Sequence, residues 1–209
     1  MLRLLPPGLL LPTQCAACGA VGPSPCATCW VALTPAPPVE PIGAVTEVRG
    51  LLSYTGPGRE LVARLKYRNQ RATIAWLADG MADRIRALGP PDPRIITWAP
   101  TTAARRRDRG FDQAELLARA VARRLGWPCR GELTRGGGPP QTGRSGHERR
   151  QGPSFTARRA PIAPAASVVV IDDVLTTGAT IAAAGDALRR AGWGQVCAAV
   201  AAVTPRRSG

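Results

Sequence analysis

The chain has 209 residues and a net charge of +14, from 28 basic against 14 acidic residues; 27 of the basic residues are arginine and Lys66 is the one lysine. This length fits one α/β domain with a small appendage and suffices for a real core, while no stretch approaches the roughly 20 apolar residues of a membrane span. A charge of that size favours phosphate-rich partners, whether nucleic acid or phosphorylated substrates.

Met1–Leu11 is leucine-rich but broken by Pro6 and Pro7, and it lacks the core and cleavage site of a signal peptide. It reads as a short packing helix or an ordered arm, and the expected location is the cytoplasm. Cys15-Ala-Ala-Cys18 and Cys26-Ala-Thr-Cys29 then form two CxxC knuckles. In a reducing compartment four such thiols read as metal ligands rather than disulfides. The spacing suits one tetrahedral Zn²⁺, held structurally because all four positions are thiolates. A unit this small would depend on the metal to fold; the alternative is a redox CxxC pair. Cys129 and Cys197 sit in apolar, strand-like contexts and are expected to be buried.

The segment Thr34-Pro-Ala-Pro-Pro-Val-Glu-Pro41 reads as a stiff linker. It divides an N-terminal arm and finger, residues 1–38, from the main domain, residues 45–209. Beyond it the pattern predicts a strand over Val45–Tyr54, a helix over Arg59–Tyr67 and a second helix over about Ala72–Ala87. Arg94–Trp98 is the next strand. It ends in a turn containing Thr101 and Thr102, with Arg105, Arg106, Arg107 and Arg109 directly behind. Such a turn is a candidate anion site, since guanidinium forks grip pyrophosphate bidentately. A helix over Gln113–Leu125 carries Leu116, Leu117, Val121 and Leu125 on its core face.

Residues 136–153 are rich in glycine, proline and arginine and read as a long loop, a lid over a reactive sugar or a disordered segment. His147, the one histidine, lies there as either an acid–base group or a solvated side chain. From Arg105 to Arg150 there are 12 arginines against five acids, a net of +7, which substrate phosphates or single-stranded nucleic acid would both explain.

The most informative stretch is Ser167-Val-Val-Val-Ile-Asp-Asp-Val-Leu-Thr-Thr-Gly-Ala-Thr180. Val168–Ile171 reads as a strand buried on both faces of a parallel sheet. Asp172 and Asp173 follow it, then Thr176, Thr177, Gly178 and Thr180, then a helix over Ile181–Ala191. The helix mouth offers unpaired N–H groups and a positive dipole end to a phosphate. Gly178 lets the backbone approach, and the threonine hydroxyls add donors. The two carboxylates would repel a phosphate and suit sugar hydroxyls or a hydrated Mg²⁺ instead. The parts describe a site for a phosphorylated sugar; an ordinary strand with an Asp-rich turn and a threonine cap is the bland alternative.

This string resembles the phosphoribosyl-pyrophosphate (PRPP) signature of the type I phosphoribosyltransferases. With the cysteine finger, Leu65-Lys66-Tyr67, the run from Arg105 to Ala118, Pro140-Gln-Thr-Gly143 and Glu148-Arg149-Arg150, the whole chain is similar to the ComF family of ComFC- and GntX-like proteins. The resemblance implies an α/β fold, a type I phosphoribosyltransferase-like parallel sheet with helices on both faces, plus the small N-terminal four-cysteine zinc finger. It implies that Thr176, Thr177, Gly178, Ala179 and Thr180 hold a 5′-phosphate and that Asp172 and Asp173 contact the ribose hydroxyls. Thr101, Thr102 and Arg105 or Arg109 would face the pyrophosphate, bridged by Mg²⁺ to the ribose. The implied function is PRPP-linked phosphoribosyl transfer tied to DNA uptake or nucleotide metabolism. The alternative is a non-catalytic accessory protein binding single-stranded DNA alongside other competence proteins; Trp30, Trp76, Trp98, Trp127 and Trp193 are compatible with it but do not cluster in sequence.

Overall fold

A computed structural model describes residues 14–65, 71–89, 94–136, 153–160 and 166–205. Its centre is a parallel sheet in the order β1-β6-β5-β2, built from β1 (Glu47–Ser53), β2 (Arg94–Trp98), β5 (Ser167–Leu175) and β6 (Val196–Val203). The two inner strands explain the apolar runs. In β5, Val169 and Ile171 face one layer of the core and Val168 and Val170 the other. All eight residues of β6 are buried. A strand covered on both faces has no polar side to alternate with.

One face is covered by α2 (Gly56–Arg64), α3 (Arg71–Arg86) and α5 (Gln113–Leu125). The other is covered by α6 (Ala179–Arg190) and a two-stranded antiparallel pair, β3 (Leu133–Arg135) with β4 (Phe155–Ala157). The sheet with helices on both faces is the architecture expected from the sequence. No helix among the described residues is long and apolar enough to cross a membrane.

Several boundaries differ from the sequence reading, each for a physical reason. Helix α2 begins at Gly56, before Arg59, because Pro57 fits the first turn where no N–H donor is needed. It ends at Arg64, and Lys66 and Tyr67 lie outside the described residues. Strand β5 runs on through Asp172 and Asp173 to Leu175, because β6 stays alongside: Asp172 pairs with Val200, Val174 with Ala202 and Leu175 with Val203. The carboxylates therefore stand within the strand rather than just past its end. Helix α6 starts at Ala179, two residues ahead of Ile181. A short helix, α4 (Ala103–Arg109), occupies what read as a basic turn. Cys197 is buried, whereas Cys129 is half-buried.

The proline-rich segment pairs with the free edge of the sheet. Ala36 N–H donates to the Leu51 carbonyl at 3.2 Å and Ser53 N–H to the Thr34 carbonyl at 2.8 Å. Alternate prolines leave the Ala36 N–H free to donate, so the segment can cover an exposed edge strand. The finger, with its short helix α1 (Ala27–Val31), is docked as well. Cys15, Ala16, Ala17 and Cys29 join the core cluster of α3 and α5, and Trp30 meets Trp76 edge to face at 5.7 Å.

Candidate phosphosugar cleft and four-cysteine cluster

The cleft opens where β2 stops and β5 does not. The β2–β5 ladder ends with Ala99 N–H donating to the Ile171 carbonyl at 3.1 Å, after which the chain turns away at Pro100. Beyond that point β5 is held by β6 alone. The Asp173 N–H donates to the Asp172 carboxylate at 2.8 Å, and the Val174 N–H to the Asp173 carboxylate at 2.8 Å. The resulting cleft, of roughly 220 Å³, lies at the carboxyl ends of two neighbouring parallel strands, where open α/β sheets place ligands.

Its floor is acidic. Burial, and then the neighbouring charge of Asp173, hold the Asp172 carboxyl well above the usual carboxylate range. A carboxylate in that position gains from any cation or hydroxyl donor brought to it.

One wall is the β5–α6 turn. Thr176, Thr177, Gly178, Ala179 and Thr180 line a small cup beside Asp172, with Thr176 and Thr180 also reaching the main cleft. Gly178 is the N-cap of α6 at φ 82°. A left-handed residue here swings the first amides of α6 toward the cup, and only glycine takes that conformation without strain. The Thr177 hydroxyl accepts from Ala179 N–H at 3.4 Å, leaving the later amides of the first turn for an anion.

The opposite wall is the turn after β2 with α4 and the start of α5. Thr101, Arg105 and Arg109 line the cleft. Thr102 does not; its hydroxyl caps α4 by accepting from Arg105 N–H at 3.3 Å. This wall is organised by Asp112, which is 4 % exposed. Its carboxylate accepts from Thr101 N–H at 2.8 Å, Ala114 N–H at 3.0 Å and Glu115 N–H at 3.4 Å, capping α5 and pinning the turn in one stroke. Burial outweighs those three bonds and raises its carboxyl above the ordinary value.

Three polar lining residues escaped the sequence reading as site residues: Asp112, Gln113 and Arg135. The Asp-Gln-Ala-Glu string does signal a helix cap, but nothing local says the cap also holds a neighbouring turn. Arg135, at the end of β3, donates to the Pro100 carbonyl at 3.1 Å and lies over the Phe155 ring at 5.3 Å. Burial and the nearby Arg105 charge lower its basicity, which leaves a partly desolvated guanidinium facing the cleft. The Pro140–Gly143 and Glu148–Arg150 strings, and His147, lie outside the described residues.

The second site is the finger. The sulfurs of Cys15, Cys18, Cys26 and Cys29 all lie within 4.8 Å of one another. Cys18 and Cys26 are 3.7 Å apart, against the ~3.8 Å edge of a tetrahedron with metal–sulfur bonds of about 2.3 Å. The Cys26 N–H points at the Cys15 sulfur at 3.3 Å. Burial works against a thiolate at Cys15, but N–H groups of Cys26, Cys18 and Ala17 outweigh it and bring the thiol down to about 6. Burial and crowding by the other sulfurs push Cys29 up to about 12. Four soft donors packed this closely can hold a metal ion such as zinc, whose charge would offset that crowding.

Residues 112–208 match the family described as the phosphoribosyl transferase domain. The chain is 28% identical over 184 residues to the DNA utilization protein YhgH of Salmonella typhi, covering 85% of this chain and 78% of that protein. It is 26% identical over 133 residues to the competence protein ComFC of Bacillus subtilis, covering 64% of this chain. The chain spans only 54% of the length of ComFC. Among solved structures, adenine phosphoribosyltransferase of Leishmania tarentolae aligns with TM-score 0.41 and 23% identity, over 63% of this chain and 57% of that one. The Trypanosoma brucei adenine phosphoribosyl transferase aligns with TM-score 0.44 and 15% identity, over 81% of this chain and 87% of that one.

Proposed function

We propose that this chain, with its phosphoribosyl transferase domain, binds PRPP or a related phosphorylated ribose with Mg²⁺ in the cleft between β2 and β5. The observation that carries the reading is the arrangement of charge. Asp172 and Asp173 share one cleft with Arg105, Arg109 and Arg135, and Asp172 also lines the cup of Thr176–Thr180. A ribose with a phosphate at one end and pyrophosphate at the other has groups to suit each of these.

In this reading the cup takes the 5′-phosphate, and the carboxylates accept from the ribose hydroxyls. Thr101, Arg105, Arg109 and Arg135 face the pyrophosphate. Among the described residues no three carboxylates come close enough to cage a cation. That fits Mg²⁺, which keeps several waters and is commonly held by one or two carboxylates together with substrate phosphates. When bound, it would neutralise charge on the pyrophosphate.

Transfer breaks the bond between the anomeric carbon and the pyrophosphate oxygen, whose electron pair leaves with pyrophosphate, and forms a bond from that carbon to the acceptor. The sugar passes through an oxocarbenium-like state, as in glycoside cleavage. No protein nucleophile is needed. The residues contribute by holding the reactants together and by stabilising the departing oxyanion with fixed cations and amides. The cysteine cluster is read as a structural Zn²⁺ finger of a cytoplasmic protein, and the activity as tied to DNA uptake or nucleotide metabolism; the relatives' names, a DNA utilization protein and a competence protein, support the first of these.

The second reading, a non-catalytic protein binding single-stranded DNA, is favoured by one observation. Helix α4 buries none of its residues and presents Arg105, Arg106 and Arg107 to solvent. Pyrophosphate release from PRPP and Mg²⁺, assayed against a panel of nucleobases, tests the first reading. Release that depends on one base supports it, and none with any base removes the enzymatic claim. Binding of a labelled oligonucleotide that weakens with salt supports the second, and no binding at low salt removes it.

A further inference from the structure

Among the buried side-chain atoms without a hydrogen-bond partner in the described residues, one belongs to the wall of this cleft: Nε2 of Gln113. Gln113 opens α5 and is 4 % exposed. Its Oε1 accepts from Nη1 of Arg109 at 2.9 Å. A guanidinium can only donate, so this bond fixes which end of the amide is oxygen and which is NH₂. The NH₂ group is a neutral donor, buried and unmatched among the described residues.

None of the described acceptors of the cleft takes a hydrogen bond from this NH₂ group. Asp112 takes three backbone N–H groups, and Asp172 and Asp173 take one each. An unpaired buried amide is costly, and an arriving acceptor oxygen would relieve it. Arg105, Arg109 and Arg135 line the same cleft, so the acceptor suited to this wall is an anionic one.

We propose that Gln113, steadied by Arg109, is the donor that reads the pyrophosphate end of the ligand, and so makes the cleft prefer a ribose bearing pyrophosphate over ribose 5-phosphate. The inference rests on the phosphosugar reading above. Arginines attract any anion by charge; a directed neutral donor adds a preference that depends on where an oxygen sits. Ribose 5-phosphate, seated in the cup of Thr176–Thr180, would bring only its neutral anomeric hydroxyl, and no phosphate oxygen, toward the β2 wall.

The test is calorimetric titration of the full chain in Mg²⁺ with PRPP, and separately with ribose 5-phosphate. It uses the wild type, Gln113→Met, which keeps the bulk, and Gln113→Glu. Loss of a donor to a charged acceptor predicts roughly tenfold or weaker PRPP binding in Gln113→Met, with ribose 5-phosphate affinity unchanged. Gln113→Glu loses more, because it sets a negative charge against the pyrophosphate. Gln113→Met removes the unmatched NH₂ but also the acceptor of Arg109, so its melting curve is recorded beside the titrations to show that the variant is folded. A merely structural role would weaken both ligands together. Equal loss for the two ligands, or no loss for PRPP, overturns the proposal while leaving the phosphosugar reading intact. A wild-type chain that binds neither ligand overturns that reading, and this proposal with it.

Discussion

Gly178→Ala isolates the backbone conformation that shapes the cup. Gly178 sits at φ 82°, and an added Cβ would lie 3.1 Å from Cδ1 of Ile42. The left-handed conformation costs an L-residue about 1–2 kcal/mol. The contact adds less, because it falls on the far end of a side chain that can yield by a few tenths of an ångström. For a chain of this size, each kcal/mol moves the melting temperature by roughly 2–4 °C, so the expected loss is about 2–8 °C. Two further variants separate the causes. Ile42→Val removes Cδ1 and should restore little of the loss. Gly178→Asn, bulkier than alanine but tolerant of positive φ, should cost less than Gly178→Ala. Differential scanning calorimetry of the four proteins decides the matter. Full rescue by Ile42→Val, or an asparagine variant worse than the alanine one, would refute the argument from backbone conformation and leave packing as the reason for glycine.

Asp172 gives a pH-dependent prediction. Its carboxyl is raised in the folded state by burial and by Asp173. Below the unfolded-state value both states carry the proton, and the group's contribution is fully present. As pH rises through the folded value, the fold must bury a charge that the unfolded chain leaves in water, so stability falls. Asp172→Asn lacks this loss: its melting temperature should gain on the wild type as pH rises from acid to neutral, and a gap that stays constant would contradict the burial argument. For the finger, metal analysis should find about one Zn per chain by the four-ligand rule. Chelation should lower the melting temperature of the whole domain, because Cys15 and Cys29 are part of its core cluster. Folded protein with no metal and four reactive thiols would remove the assignment.

Features written in local chemistry could be read from the sequence, and features made by tertiary placement could not. The apolar run of β5, the Thr/Gly turn and the cysteine spacing each declare themselves within a few residues. So does α5, whose Gln113–Leu125 span carries an amphipathic face and a capping aspartate. Helix α4 left no trace because it buries nothing, and periodicity reports only burial. The strands β3 and β4 are three residues each, too short for an alternating pattern. Arg135 reads as a loop cation until β3 brings it against Pro100. Asp112 reads as a cap, and only the fold adds its grip on Thr101. Asp172 and Asp173 were legible as a pair at the strand's carboxyl end; that the strand continues past them to Leu175 was not, because β6 carries it onward.

The central claim is that the acidic tip of β5 and the mouth of α6 together seat a ribose bearing phosphates. Calorimetric titration of PRPP and Mg²⁺ into the wild type and into Asp172→Asn/Asp173→Asn tests it most directly. The account predicts saturable, Mg²⁺-dependent binding that the double substitution abolishes or weakens at least tenfold, given two lost charge-assisted hydrogen bonds. Equal affinity in the two proteins would contradict it.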